Sequence, residues 1–412
     1  MSEWQDIVIE ELCSEITDCV NKTAPSVDYV TPYKMIRTTN IKQGRINLDE
    51  VRYVTEETYK TWIRRGAPQL EDIILTREAP VGEVGMIRTS EKVFLGQRTM
   101  MYRADRTKAD PYFLYYAFQT EAVQEQIHSA GMGSVVEHVR VPDAKKFKIN
   151  TPPLPEQKAI ASVLSSLDDK IDLLHRQNKT LEAMAETLFR HWFMEEAKED
   201  WEEVPLSDYF KVKHGYAFKG EFITPEPTKY RLVTPGNFEI GGGFKSAKFK
   251  YYSSDVIPEE YVFNELDFVV TMTDLSKEGD TLGYPAFIPL HHKADVLYLH
   301  NQRVGKVQFY DEKECKFFFY MLMKQDVYQQ FIVGSCTGTS VKHTSPTTIG
   351  SFTFAKPPQE KIHDFDRIVG QKFAKIFVNQ KQIQTLENLR NTLLPKLMSG
   401  EVRVQYQTEE VA

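Results

Sequence analysis

The chain is 412 residues long, which suits two or three domains, and is 41% hydrophobic, 12% aromatic and 26% charged. That composition excludes a disordered or fibrous chain and implies packed cores. Its net charge of −7, with no segment globally basic, argues against a protein that coats nucleic acid by charge alone. Any DNA affinity has to come from local clusters or from a more basic partner. Residues 1–6 are acidic and lack an apolar run, so no export signal is expected, and no stretch approaches the ~18–20 apolar residues of a membrane span. Cys13, Cys19, Cys315 and Cys336 are widely spaced without a Cys-x-x-Cys pair, as expected of reduced thiols in the cytoplasm.

Residues 1–151 alternate short apolar runs with Gly, Pro, Asn and Asp, the pattern of irregular β structure. Strands are expected at 72–76 and 84–87, and an aromatic helix at 112–126. After Pro152-Pro153 the period changes. Ile160, Leu164, Leu167, Ile171, Leu174, Asn178, Leu181, Ala185, Leu188 and Trp192 recur in steps of four and three, an a/d seam over more than four heptads. Pro155 and Glu156 suit its first turn, where a missing N–H costs nothing and an acid meets the helix dipole.

The same grammar then returns. Trp4-Gln-Asp-Ile-Val-Ile9 is answered by Trp201-Glu-Glu-Val-Pro-Leu206, Leu70-Glu-Asp-Ile-Ile-Leu-Thr76 by Glu265-Leu-Asp-Phe-Val-Val-Thr271, and Leu95-Gly-Gln-Arg98 by His300-Asn-Gln-Arg303. Gly133-Ser-Val-Val-Glu-His138 matches Gly338-Thr-Ser-Val-Lys-His343, Pro152-Pro153 matches Pro357-Pro358, and Thr180-Leu-Glu182 matches Thr385-Leu-Glu387. Matches in this order at a near-constant spacing mark a duplicated unit. The second unit predicts a strand at 268–271, an aromatic helix at 317–331, and a second seam through Phe365, Val369, Lys372, Ile376, Asn379, Ile383, Leu386, Arg390, Leu393 and Leu397. Pro395 is expected to kink that helix and Ser399-Gly400 to stop it. The expected divisions are 1–151, 152–199, 200–356, 357–400 and a tail at 401–412. Because the first helix delivers the chain to the second domain and the second starts there, their packing should be antiparallel. Asn178 and Asn379 then fall at one level. They either pair to fix register or lie at the seam edge.

The run Pro152-Pro-Leu-Pro-Glu-Gln-Lys-Ala-Ile-Ala-Ser-Val-Leu164, with Gln177-Asn-Lys-Thr-Leu-Glu-Ala-Met-Ala-Glu-Thr-Leu-Phe189, resembles the central helical region of type I restriction-modification specificity subunits. Thr271-Met-Thr-Asp-Leu-Ser-Lys-Glu-Gly-Asp-Thr-Leu-Gly283 resembles one of that family's recognition-domain types. The resemblance covers nearly the whole chain and implies an α+β architecture of two pseudo-repeated target-recognition domains, each mixed α/β with an irregular sheet, joined by two long helices in an antiparallel coiled coil. It implies that each domain reads one half of a split, asymmetric double-stranded DNA site, with the helices setting the spacer. It further implies docking with two adenine methyltransferase subunits, and with two motor-endonuclease subunits for restriction. No cofactor belongs to the chain itself; S-adenosylmethionine, ATP and magnesium would belong to the partners.

The residues offer several candidate DNA contacts. Gln97-Arg98 and Gln302-Arg303 recur at matched positions; Arg can fork onto guanine and Gln pair with adenine, while an Arg shared by both repeats can instead brace the common fold. The small, hydroxyl-rich loops 131–138 and 337–343 carry Ser134, His138, Thr339, Lys342 and His343, and either approach phosphates or form tight turns. Local basic clusters are Arg64-Arg65, Arg77 after Thr76, Arg103/Arg106/Lys108, and Lys245, Lys248 and Lys250 interleaved with Phe244, Phe249, Tyr251 and Tyr252.

Catalytic motifs are not found. Asn150-Thr-Pro-Pro153 lacks the aromatic order of an adenine methylase motif, Gly241-Gly-Gly-Phe-Lys-Ser246 lacks P-loop spacing, and no His/Cys/Asp cluster has metal spacing. A nuclease-like Pro142-Asp143 with Glu156-Gln157-Lys158 can be drawn, but Glu156 is accounted for by the helix start. A methyltransferase or nuclease with a DNA-reading domain, and a coiled-coil protein scaffold, are the rival classes.

Overall fold

The segment Ile73–Arg77 is buried at every position, which suits a strand covered on both faces. Its alternation serves two cores: Ile73 and Leu75 enter the larger apolar cluster, Ile74 a smaller one with Met101 and Leu95. It lies inside an antiparallel sheet of order Cys13–Asp18, Thr99–Ala104, Ile73–Arg77, Val81–Met86. The structure is a computed structural model and describes residues 4–132, 137–246, 249–274, 276, 279–290, 296–311, 315–338 and 341–405. The chain divides into two compact units, residues 1–169 with 387–412, and residues 170–386.

The second unit repeats the main sheet of the first strand for strand. Its main sheet runs Phe210–His214, Val304–Phe309, Phe268–Thr271, Pro285–Phe287. Phe268 and Val270 enter one core and Val269 another. Each unit also has a small sheet with one parallel pairing, Tyr33–Ile36 on Lys92–Leu95 and Tyr230–Val233 on Leu297–His300. Each is closed by a two-stranded ladder, Gln5–Val8 with Lys148–Thr151 and Glu203–Pro205 with Thr353–Ala355. Matched aspartates begin the inner strands: Asp72 accepts from Gln69 N at 2.7 Å, and Asp267 from Asn264 N at 2.8 Å.

The aromatic stretches are each two helices rather than the single helix expected from 112–126 and 317–331. They are Pro111–Ala117 with Glu121–Gly131, and Lys316–Met323 with Asp326–Gly334. The break leaves helix-end carbonyls to satisfy. Gln124 Nε2 donates to Phe118 O at 2.7 Å, and its counterpart Gln329 donates to Met323 O at 2.9 Å.

Two long helices, Leu154–Arg190 and Gln359–Met398, are divided between the units. The second runs through Pro395 and ends where Gly400 takes φ +76°, the left-handed stop that glycine adopts cheaply. Within each unit the helices pair antiparallel. In the first, Ile160 and Leu164 share a core with Leu393 and Leu397, and Asp168 receives Arg390 Nη1 at 2.7 Å. In the second, Ile171 and Leu174 meet Ile383 and Leu386, and the Phe189 ring lies 5.7 Å from that of Phe365. Asn379, wholly buried, donates from Nδ2 to Asn178 Oδ1 at 2.8 Å.

Glu156 is also wholly buried, and its carboxylate is met by Arg403, Nε at 2.5 Å and Nη2 at 2.8 Å. The Arg403 guanidinium lies 5.8 Å from the Trp4 ring centre, so the residues after the second helix lock the start of the first. Arg403→Ala is expected to strand a buried charge and lower the stability of this unit by about 2–3 kcal/mol. Chemical denaturation should show that loss, and adding Glu156→Gln should recover part of it; an unchanged midpoint in Arg403→Ala would refute the role.

Candidate nucleic-acid interface

Three segments meet at the end of each inner strand. In the first unit Arg77 N donates to Arg98 O at 2.8 Å, and Val139 N donates to Arg77 O at 3.0 Å. In the second, Met272 N donates to Arg303 O at 2.9 Å, and Thr344 N to Met272 O at 3.0 Å. The same two backbone bonds therefore bring a Gln-Arg turn and a His-bearing segment to one junction in each repeat. Arg98 with His138, and Arg303 with His343, are the pairs so assembled.

The side chains there differ. Arg98 holds φ +69°, an uncommon backbone state for a residue other than glycine, and its Nε lies 2.6 Å from Glu78 Oε2. His138 Nδ1 lies 2.7 Å from the other oxygen of Glu78. In the second unit Thr273 Oγ1 faces His343 Nδ1 at 3.1 Å, and exposed Arg303 has no side-chain partner among the described residues. Gln97 accepts from the Thr23 hydroxyl at 2.8 Å, whereas Gln302 is exposed. Lys342 is half-buried on the short strand Lys342–His343, which pairs with Thr273–Asp274.

Several candidates belong to the fold instead. Arg77 is buried, its guanidinium 2.8 Å from Asp18 and bonded to Val139 O at 3.3 Å, so it braces the junction from inside. Arg103 is clamped by Asp72 at 2.7 Å and also by Glu15, and Arg106 pairs with Glu71. Lys108 lies 3.5 Å from Asp105. Arg65 remains half-exposed while donating to Cys19 O at 3.0 Å, and Arg64 beside it is exposed. Lys245, 3.9 Å from Glu239, and Lys250 face solvent, because Phe244 and Phe249 turn inward onto the Tyr298 ring. Ser134, Lys248 and Thr339 lie outside the described residues. Glu78 and Thr273 were not among the candidates, although the matched runs ending at Thr76 and Thr271 place them opposite one another.

Behind the second junction His300 is 1% exposed, with Nε2 donating to Val304 O at 2.8 Å and its ring centre 4.5 Å from that of Phe263. Burial holds its pKa down at about 4, helped by Lys306, Lys213 and His214 nearby, against the ordinary 6.5. Among the described residues, no group of His, Cys, Asp and Glu could hold a metal ion, and no helix is long and apolar enough to cross a membrane.

Residues 1–183 match the family model described as the type I restriction modification DNA specificity domain. The chain is 28% identical over 376 residues to the MjaIX type I restriction enzyme specificity subunit of Methanocaldococcus jannaschii, covering 86% of this chain and 82% of that one. It is 24% identical over 320 residues to the HindI specificity subunit of Haemophilus influenzae, covering 62% of this chain and 69% of that one. The crystal structure of the type I restriction-modification system S subunit from M. genitalium shares the fold, with a TM-score of 0.56 at 18% identity over 98% of this chain and 97% of that one. Over most of its length the chain is therefore similar to type I restriction-modification specificity subunits. A specificity subunit is a DNA-recognition component that assembles with methyltransferase subunits and performs no catalysis itself.

The buried His300 of this chain gives a pH signature. Unfolded, it binds a proton near pH 6.5; folded, only near 4, so acid favours unfolding between those values. Its contribution is complete above about pH 6.5 and lost on descending to about 4, with a slope of up to about 1.4 kcal/mol per pH unit. Urea unfolding of His300→Gln against the native chain should show that slope reduced in the variant; parallel curves would refute it.

Proposed function

We propose that this subunit reads a bipartite, asymmetric DNA sequence, with residues 1–151 reading one half, residues 200–356 the other, and the helical segments 152–199 and 357–400 setting the spacer. The observation that carries this is the junction built twice by the same backbone bonds but lined by different side chains, Glu78 with Arg98 in one and Thr273 with Arg303 in the other. Equal scaffolds with unlike readers suit unlike half-sites. Arg98, His138, Arg303, Lys342 and His343 are the proposed contacts at the junctions, with Gln97 and Gln302 in the same turns. Arg64, Arg65, Lys245 and Lys250 are proposed to meet phosphates, which position the protein without reading sequence. Arg77 is left out, since its guanidinium is spent inside the fold.

Two adenine methyltransferase subunits would carry S-adenosylmethionine, and two motor-endonuclease subunits would carry ATP and magnesium, with the complex acting in the cytoplasm. Sequencing DNA modified by the reconstituted methyltransferase complex should yield a split adenine-methylated motif. Exchanging residues 1–151 for those of a relative should change one half only. A contiguous motif, or methylation by this chain without partners, would overturn the proposal.

The spacer should depend on the asparagine pair. Asn178→Leu alone leaves the buried Asn379 amide with only Gln177 Oε1 at 3.5 Å and is expected to cost about 1–3 kcal/mol. Replacing both with Leu should restore stability yet relax helix register, read as methylation of sites whose spacer is longer or shorter. A double variant with unchanged spacer preference would remove the register role.

A further inference from the structure

Glu78 puts a carboxylate at the first junction where the second repeat has the uncharged Thr273. Its two oxygens take two different candidate readers, Arg98 by Nε at 2.6 Å and His138 by Nδ1 at 2.7 Å. Arg98 is 53% exposed and Glu78 22%, so the acid lies beneath the arginine and the guanidinium reaches outward. Its guanidinium has no other partner among the described residues. An arginine gripped at Nε keeps its terminal N–H fork for an outside acceptor, and O6 with N7 of guanine match that fork. A carboxylate 2.7 Å from Nδ1, at ion-pair distance without hydrogen-bond alignment, still favours a proton on that side, and the outer Nε2 would then be an acceptor for an exocyclic amine of cytosine or adenine. The strained backbone of Arg98, held on the carbonyl side by Arg77 N, adds to the fixed aim of the fork.

The second junction has none of this constraint. Thr273 can donate to or accept from His343, so it fixes no tautomer, and Arg303 has no carboxylate to hold it. We infer that Glu78 is a positioning residue that sets base discrimination in the first half-site by aiming Arg98 and fixing His138, whereas the unheld Arg303 supplies mainly charge toward phosphate. This inference rests on the recognition role proposed above and adds which junction reads a guanine and through which residue.

The test uses the complete chain reconstituted with its methyltransferase subunits, and affinities for the methylated site and each of its single-base variants at several salt concentrations. Glu78→Gln keeps the shape and removes the charge. It should lower discrimination at one guanine of the first half-site about tenfold, raise affinity for unrelated DNA, and leave the second half-site profile unchanged. Arg303→Ala should instead weaken all sequences alike and reduce the salt slope by about one. Thr273→Glu should create new discrimination at one base pair of the second half-site. Were Glu78→Gln to weaken every site equally, or leave the base profile intact while Arg98→Ala flattened it, the positioning role would be overturned. If Arg98→Ala and Arg303→Ala both left affinity, salt slope and base profile untouched, the recognition role of these junctions would fail as well.

Discussion

Asp168 is a carboxylate only 3% exposed, and the first unit is built around meeting its charge. Tyr116 donates to one oxygen at 2.6 Å and Arg390 to the other at 2.7 Å, across 222 residues of sequence. A buried acid without such partners would be strongly destabilising. The second long helix supplies the nearer of two arginines on this acid, Arg390 at 2.7 Å, while Arg88 stands off at 3.9 Å. Burial of Leu397 and Met398 in the same core, and the Arg403–Glu156 pair beyond them, extend that dependence to the end of the described chain. Contacts of such sequence separation form late and at high loop entropy, so a chain truncated before Arg390 would lack part of its first compact unit even with residues 1–169 intact.

The second unit solves the same packing problem with aromatic bulk. Phe189, Phe193, Phe318 and Phe365 pack tilted or edge-to-face with ring centres 4.9–6.4 Å apart, and the buried polar element of its seam is the neutral asparagine pair. Duplication has thus conserved the backbone plan and let the interior chemistry drift. Strand order, the Asp72/Asp267 turns and the junction bonds persist because each satisfies backbone groups that any sequence of this fold must satisfy. Side chains that reach outward from those junctions carry no such obligation, and that is where two domains can come to differ in what they read.

The parts legible in the sequence were those with a period or a repeat. Alternating steps of four and three gave the seam, with Asn178 and Asn379 in it, and the matched runs gave the duplicated plan. Legibility stopped where a tertiary partner decides. Leu167 fits the seam by spacing, yet the adjacent Asp168 is the more buried of the two, because Tyr116 and Arg390 come to it. Arg77 and Arg103 look like surface cations beside polar neighbours, but Asp18, Asp72 and Glu15 claim them. The aromatic stretch offers no glycine or proline to announce its break; Gln124 and Gln329 cap it from the following helix. Glu78 was missed for a related reason, since an acid is not sought among DNA contacts until it is seen beneath an arginine.

The acidic balance of the chain acquires a meaning from these pairings. Many of its cations are matched internally, so the −7 charge is not offset by a broad basic face, and nonspecific attraction to DNA, which depends on unpaired Lys and Arg, should be weak. For a recognition component this is useful. Specificity is the ratio of cognate to nonspecific affinity, and it rises as readily by lowering the second as by raising the first. An arginine that is exposed but tethered to Glu78 contributes little to a random phosphate surface, because its acid partner already screens it. On the proposed role it would contribute more where a base pair presents two acceptors in line with its free fork. On this account the low affinity that a negatively charged chain has for arbitrary DNA is part of how it discriminates, and the remaining affinity of the assembly has to come from the methyltransferase subunits it recruits.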